Sequence, residues 1–227
     1  MHIPPPLVFA LLPLPLTLAA PPNPPHITTL STSGTGCPST SSSVHADSQV
    51  LSDTTSFTFT ALAGDSTDNC ALHIQSAGGS AGWQVAVREV GYTGDVVLKG
   101  DSSLDVITQV FWSERAGETA TLTSSLPCTG PSLSASVTLR STTSDLKWSK
   151  CTTSDGNPGI LNVNFRPVVQ GESGTYAFKK GVWGLVWRTY AEIIRYVYRM
   201  PPNARSKQVP HKRDRGETES AASNNKK

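Results

Sequence analysis

No stretch of this sequence offers twenty consecutive apolar residues, so nothing in it has the length of a membrane-spanning helix. No two cysteines stand at C-x₂₋₄-C spacing, which argues against a zinc-finger or zinc-ribbon site. There is no H-E-x-x-H metal helix. The stretch GTGCPSTSSSV, Gly34–Val44, has glycines but no lysine, so it does not make a Walker-type phosphate loop. It reads better as a tight turn beside Cys37 with Pro38 restricting the exit. No N-x-[ST] acceptor occurs, so N-linked glycans are not expected.

Charge is sparse and unevenly placed. Residues 1–166 carry 7 Lys and Arg against 12 Asp and Glu, and residues 167–227 carry 12 against 5. The main part is therefore mildly acidic and the end is basic. Nucleic-acid binding by the main part has little support, because it would start from neutralising phosphates.

The chain opens on MHIPPPLVFALLPLPLTLAAPP. Its apolar run, Leu7 to Leu18, is followed by the small residues Ala19 and Ala20. Residues 1–20 are read as a secretory signal, although no Lys or Arg precedes the run and Pro13 and Pro15 interrupt it. The expected location is extracellular or in the cell wall. Four cysteines follow: Cys37, Cys70, Cys128 and Cys151. An even count in an exported chain implies two disulfides, with three connectivities open. Pairing sequence neighbours, Cys37–Cys70 and Cys128–Cys151, closes the shortest loops.

After PPNPPH, an extended lead-in, period-two alternation recurs in SFTFTAL, ALHIQS, GWQVAVREV, ETATLTSSL, LSASVTLRS, DLKWSKC and ILNVNFR. SLDVITQVFW is apolar on both faces and suggests a central strand. Turn-forming segments such as AGDSTDN, AGGSAG, KGDSS and SDGNPG separate these runs. Residues 21–166 are expected to form an all-β domain, an antiparallel β-sandwich or jelly-roll-like fold stabilised by disulfides. Residues 167–227 are expected to be a basic extension. Within it, the spacing of Leu185, Val186, Thr189, Ile193, Tyr196 and Val197 predicts a helix over 182–199, followed by a disordered polar tail.

The segments ITTLSTSGTGCPSTSSSV, NCALHI, WSKC and LNVNFR, in that order over residues 26–166, resemble a family of small secreted fungal proteins described as a domain of unknown function, DUF4360. The resemblance implies structural roles for Gly34, Gly36, Cys37, Pro38, Asn69, Cys70, Trp148, Ser149, Cys151, Asn162 and Asn164. It implies secretion and fold class, but no activity.

Candidate chemistry is thin. Asp65, Asp68, Asp95, Asp101, Asp105 and Glu114 mostly fall in turn-like segments, and His26, His45 and His73 are scattered. A hydrolase would need converging carboxylates or a His–acid–hydroxyl group within hydrogen-bond reach. For a carbohydrate-binding module, Trp112 and Tyr92 are the candidate glycan-binding residues, since Trp83 and Trp148 join apolar strand faces. No cofactor is expected; the Asp and Asn oxygens of GDSTDN and TSDGNPG would suit calcium, but ordinary turns explain both. The favoured expectation is a non-catalytic extracellular or cell-wall-associated protein acting in surface or host interaction. Its expected partners are a cell-wall glycan or an extracellular protein.

Overall fold

The computed structural model of the chain describes residues 20–199. The expected signal segment, except Ala20, and the expected polar tail lie outside those residues. The strands in chain order are β1 (His26–Ser33), β2 (Val44–Ala46), β3 (Thr54–Phe59), β4 (Ala63–Gly64), β5 (Cys70–Ala77) and β6 (Trp83–Lys99). They continue with β7 (Ser103–Trp112), β8 (Ala120–Pro127), β9 (Ser132–Thr142), β10 (Ile160–Gln170) and β11 (Gly174–Thr189). Two sheets form: a five-stranded one ordered β1-β5-β10-β7-β8, and a six-stranded one ordered β2-β3-β11-β6-β9 with β4 alongside β11. The strand pairings are antiparallel throughout both sheets. This is the all-β sandwich that the alternation predicts.

Alternation decides what lies between the sheets. Leu72 and Ile74 of β5, Leu161, Val163 and Phe165 of β10, and Leu104, Val106 and Val110 of β7 are all buried. From the other sheet come Phe57, Tyr92, Tyr176, Phe178 and Trp183. Their rings pack closely: Tyr92 lies 3.9 Å from Phe165 between centroids, Phe165 meets Phe178 edge-on at 5.3 Å, and Phe57 lies 4.4 Å from Trp183. Such aromatic pairs add about 0.5–1.5 kcal/mol each beyond the area they bury.

The structure moves the domain boundary. The sandwich does not stop at residue 166, because β10 runs to Gln170 and β11 forms a central strand of the six-stranded sheet. β11 pairs β3 from Lys180 to Gly184 and β6 along its length. The helix predicted over 182–199 is therefore a strand up to Thr189 and a helix, α1, only over Tyr190–Arg199. The physical reason is local composition: Val182, Trp183, Val186 and Trp187 are β-branched or aromatic residues that suit a pleated sheet. Two strands with unsatisfied edges flank them, and sheet pairing overrides a helical stripe. From Ala191 the helix falls in a unit separate from the sandwich, with Glu192 in its first turn and Arg199 in its last.

DLKWSKC, expected as a strand, is irregular. It still satisfies its backbone along the start of β6: Ser149 N–H donates to Val85 O and Thr152 N–H to Trp83 O. Gln84 is buried under this segment and donates to Ser149 O at 2.5 Å.

Cys37 and Cys70 form a disulfide with Cα atoms 5.1 Å apart. Cys128 and Cys151 do not pair, which corrects the second expected bridge. The sheet explains why. Cys128 follows Pro127, which pairs with Ser103 at the start of β7. The segment leading to Cys151 sits at the other end, where the Trp112 indole donates to Lys147 O at 3.0 Å. The ten residues of β7 separate those ends by roughly 30 Å, far beyond disulfide reach.

Candidate ligand trough on the five-stranded sheet

The two aromatic candidates are not surface platforms. Trp112 and Tyr92 are each only 1% exposed, so neither can stack on a sugar ring. The alternation of β7 carries Leu104, Val106, Thr108 and Val110 inward and takes Trp112 with them. Tyr92 belongs to the middle of the long strand β6 rather than a turn, and its hydroxyl accepts from Thr108 Oγ1 at 3.1 Å. Burial pushes the Tyr92 phenol well above its ordinary range, so it stays neutral. Trp83 and Trp148, expected in the core, are the partly exposed tryptophans. The Arg188 guanidinium lies 4.0 Å over the Trp148 ring and occupies that face.

The calcium candidates are turns with committed carboxylates. The Tyr176 hydroxyl donates to Asp68 Oδ2 at 2.5 Å, and Asp155 accepts from Thr153 Oγ1 and from Asn157 N. These bonds hold the Asp155 carboxyl below its usual range. Among the described residues no cluster of three His, Cys, Asp or Glu is placed to hold a metal. Residues 78–82, GGSAG, spell a G-x-S-x-G pattern. They form the turn between β5 and β6, and the Ser80 hydroxyl accepts from Asn23 N at 3.0 Å, so this is no strand-to-helix nucleophile elbow.

A site does form where sequence reasoning saw ordinary surface, on the outer face of the five-stranded sheet. Residues opposite in phase to the core point there. Ser33 of β1 and Asn164 of β10 both pair with Ala71 of β5, and Asn164 also pairs with Gln109 of β7. One residue pair along, Ser31, His73, Asn162 and Phe111 form the neighbouring row. Ala71 projects only a methyl group between longer neighbours, and a trough of about 630 Å³ opens there. Thr35, Asn69, Cys70, Ile107, Gln109, Asn164 and Arg166 line it. That volume suits a small ligand.

One wall is held firmly. Asn69 Oδ1 accepts from both the N–H and the hydroxyl of Thr35, at 3.2 and 3.3 Å, while Asn69 N–H donates to Thr35 Oγ1. Gly34 makes this approach possible: its φ is +119°, and a Cβ there would sit 2.3 Å from Asn69 O. The Cys37–Cys70 bridge ties the same corner. The floor and far wall are different. Asn164 Oδ1 is buried without a partner, and Gln109 and Arg166 make no side-chain hydrogen bond or ion pair among the described residues.

At the rim a polar chain crosses three strands. The Ser33 hydroxyl lies 3.5 Å from His73 Nε2, His73 Nδ1 lies 2.6 Å from Asn162 Oδ1, and Asn162 Nδ2 donates to Ser113 Oγ at 2.8 Å. Asn162 is only 4% exposed.

Fold and site together define an antiparallel β-sandwich with a polar trough on one outer face. The chain belongs to the family described as Domain of unknown function (DUF4360), whose model matches residues 23–190. The match ends with β11. No curated protein matches the chain. Among solved structures it is similar to TmCBM61 in complex with β-1,4-galactotriose, at 10% identity and a TM-score of 0.27, over 72% of this chain and 90% of that one. A likeness at that level carries nothing about the ligand of this chain.

Proposed function

We propose that this is an exported glycan-binding domain whose trough on the five-stranded sheet receives a cell-wall or extracellular polysaccharide. The observation that carries the reading is the set of uncommitted polar groups around Ala71. Asn164, Gln109 and Arg166 have no protein partners among the described residues, yet they surround a concavity of ligand size. Buried polar atoms normally find partners, so an orphan amide at a concave surface is where a ligand supplies one. Planar amides and a guanidinium offer several donors and acceptors at fixed angles, which is the chemistry that reads sugar hydroxyls. Ile107 adds an apolar strip for a sugar's C–H face. Export is supported by the Cys37–Cys70 disulfide, a bond typical of oxidising compartments, and by the apolar leader sequence.

Isothermal titration of the full chain against a panel of neutral cell-wall polysaccharides tests the binding. Saturable binding to at least one, lost in Ala71→Trp, is the expected result. No binding to any of them, or binding unchanged by Ala71→Trp, would remove the reading. For export, intact mass of protein from culture medium should match a chain starting near Pro21. Retention of Met1 inside cells would contradict it.

A further inference from the structure

We propose that Ser33, His73 and Asn162 form a serine acyl-transfer site at the rim of the trough, hydrolysing an O-acyl ester carried by the bound glycan. The glycan as substrate rests on the binding reading above; the acyl transfer stands on geometry alone.

The hydrogen bonds determine which nitrogen carries the proton. Asn162 Nδ2 donates to Ser113 Oγ and to Ile160 O, at 2.8 and 3.2 Å, so its oxygen must be the atom facing His73. An amide oxygen only accepts, so His73 Nδ1 carries the hydrogen across their 2.6 Å contact. That leaves Nε2 with a free lone pair facing the Ser33 hydroxyl. Orienter, base and hydroxyl thus stand in the order that activates a serine. The 3.5 Å between Ser33 and His73 is long, as such contacts often are before substrate binds. Ser33 ends β1, and the positive φ of Gly34 turns the chain sharply after it. Asn69 offers an oxyanion donor: its oxygen is taken by Thr35, which leaves its Nδ2 beside Gly34 on the trough wall.

In the first step Ser33 Oγ bonds to the ester carbonyl carbon and its proton passes to His73 Nε2. The C–O bond to the sugar then breaks, and the sugar oxygen takes that proton. Water attacks the acyl-serine, again giving its proton to His73, and Ser33 leaves with the proton restored. Esters suit this relay better than amides. Asn162 orients the imidazole but brings no negative charge to stabilise an imidazolium, so an easily expelled leaving group is required.

The full chain treated with a fluorophosphonate, followed by intact-mass and peptide mapping, tests the proposal, with 4-nitrophenyl acetate turnover beside it. A single adduct at Ser33 is expected, absent in Ser33→Ala and formed at least about tenfold more slowly in His73→Gln. Asn162→Asp should move the pH–rate profile upward, because a carboxylate makes His73 more basic. That shift separates a positioning role from a structural one. No adduct at Ser33, or a rate indifferent to His73→Gln, would overturn the relay. Ser33 is exposed and His73 half-buried on the outer face, so these two variants still decide the matter if Asn162→Asp fails to fold. Polysaccharide binding by Ser33→Ala without any adduct on the wild type would sink the relay and keep the trough. An adduct at Ser33 without polysaccharide binding would sink the glycan substrate instead.

Discussion

The outer faces of the two sheets use their polar residues differently. The six-stranded sheet carries three ion pairs: Lys179 with Asp95 at 2.5 Å, Lys180 with Asp47 at 3.3 Å, and Arg140 with Glu89 at 2.6 Å. Its hydroxyls pair as well, Thr93 with Thr138 across β6 and β9, and Ser56 and Thr58 with Asp47. On the five-stranded sheet the amides of Gln109 and Asn164 and the guanidinium of Arg166 are left without partners among the described residues, around a trough. Mostly paired charges suit a scaffold, and unpaired amides gathered around a concavity suit a ligand.

The largest way to break this contrast is to fill the trough. Ala71→Trp should weaken glycan binding by about a hundredfold with the fold retained, since a bulky ring on a solvent-facing position costs the core nothing. Binding and thermal unfolding measured together check both halves. Next, Cys37→Ser with Cys70→Ser should lower stability by about 2–4 kcal/mol in denaturant titrations and loosen the wall built by Asn69. Asn164→Ala should weaken binding by about tenfold with little change in stability, since it removes an unpartnered amide rather than a paired one.

The smaller effects belong to the scaffold face. Hydrogen bonds from Ser56 first, then Thr58, with the nearby Lys180 charge, hold the Asp47 carboxyl below its ordinary value of 3.8. A carboxylate depressed in the folded state stabilises above its unfolded pKa, and that contribution is lost as pH falls through the folded value. Asp47→Asn should therefore cost about 1 kcal/mol or less near neutral pH. The difference from wild type should shrink as pH falls through that folded value in a pH series of urea midpoints. Lys179→Ala, breaking an exposed pair, should leave the urea midpoint and binding unchanged within error.

Much of the sandwich was legible because period-two alternation is a local property. SLDVITQVFW shows how far that goes: the phase set by Leu104, Val106 and Val110 already sends Trp112 inward and Gln109 outward. Treating Trp112 as a surface aromatic abandoned the phase one residue too early. ILNVNFR likewise placed Asn162 and Asn164 opposite Leu161, Val163 and Phe165. β11 was not legible, because its valines and tryptophans fit both a helical stripe and a strand, and only the neighbours β3 and β6 decide between them. The same non-locality hid the site. Ser33, Ala71, Gln109 and Asn164 come together only through the order β1-β5-β10-β7, which no spacing in the chain reports. It also defeated the second disulfide, since closeness in sequence put Cys128 and Cys151 at opposite ends of β7.

The most direct measurement is a backbone-amide NMR titration of the full chain with the polysaccharide fragment that binds best. Shifts confined to Ala71, Gln109, Asn164 and their row neighbours are the result this account predicts. Shifts centred on Glu89, Arg140 and Gly184 of the six-stranded sheet would contradict it.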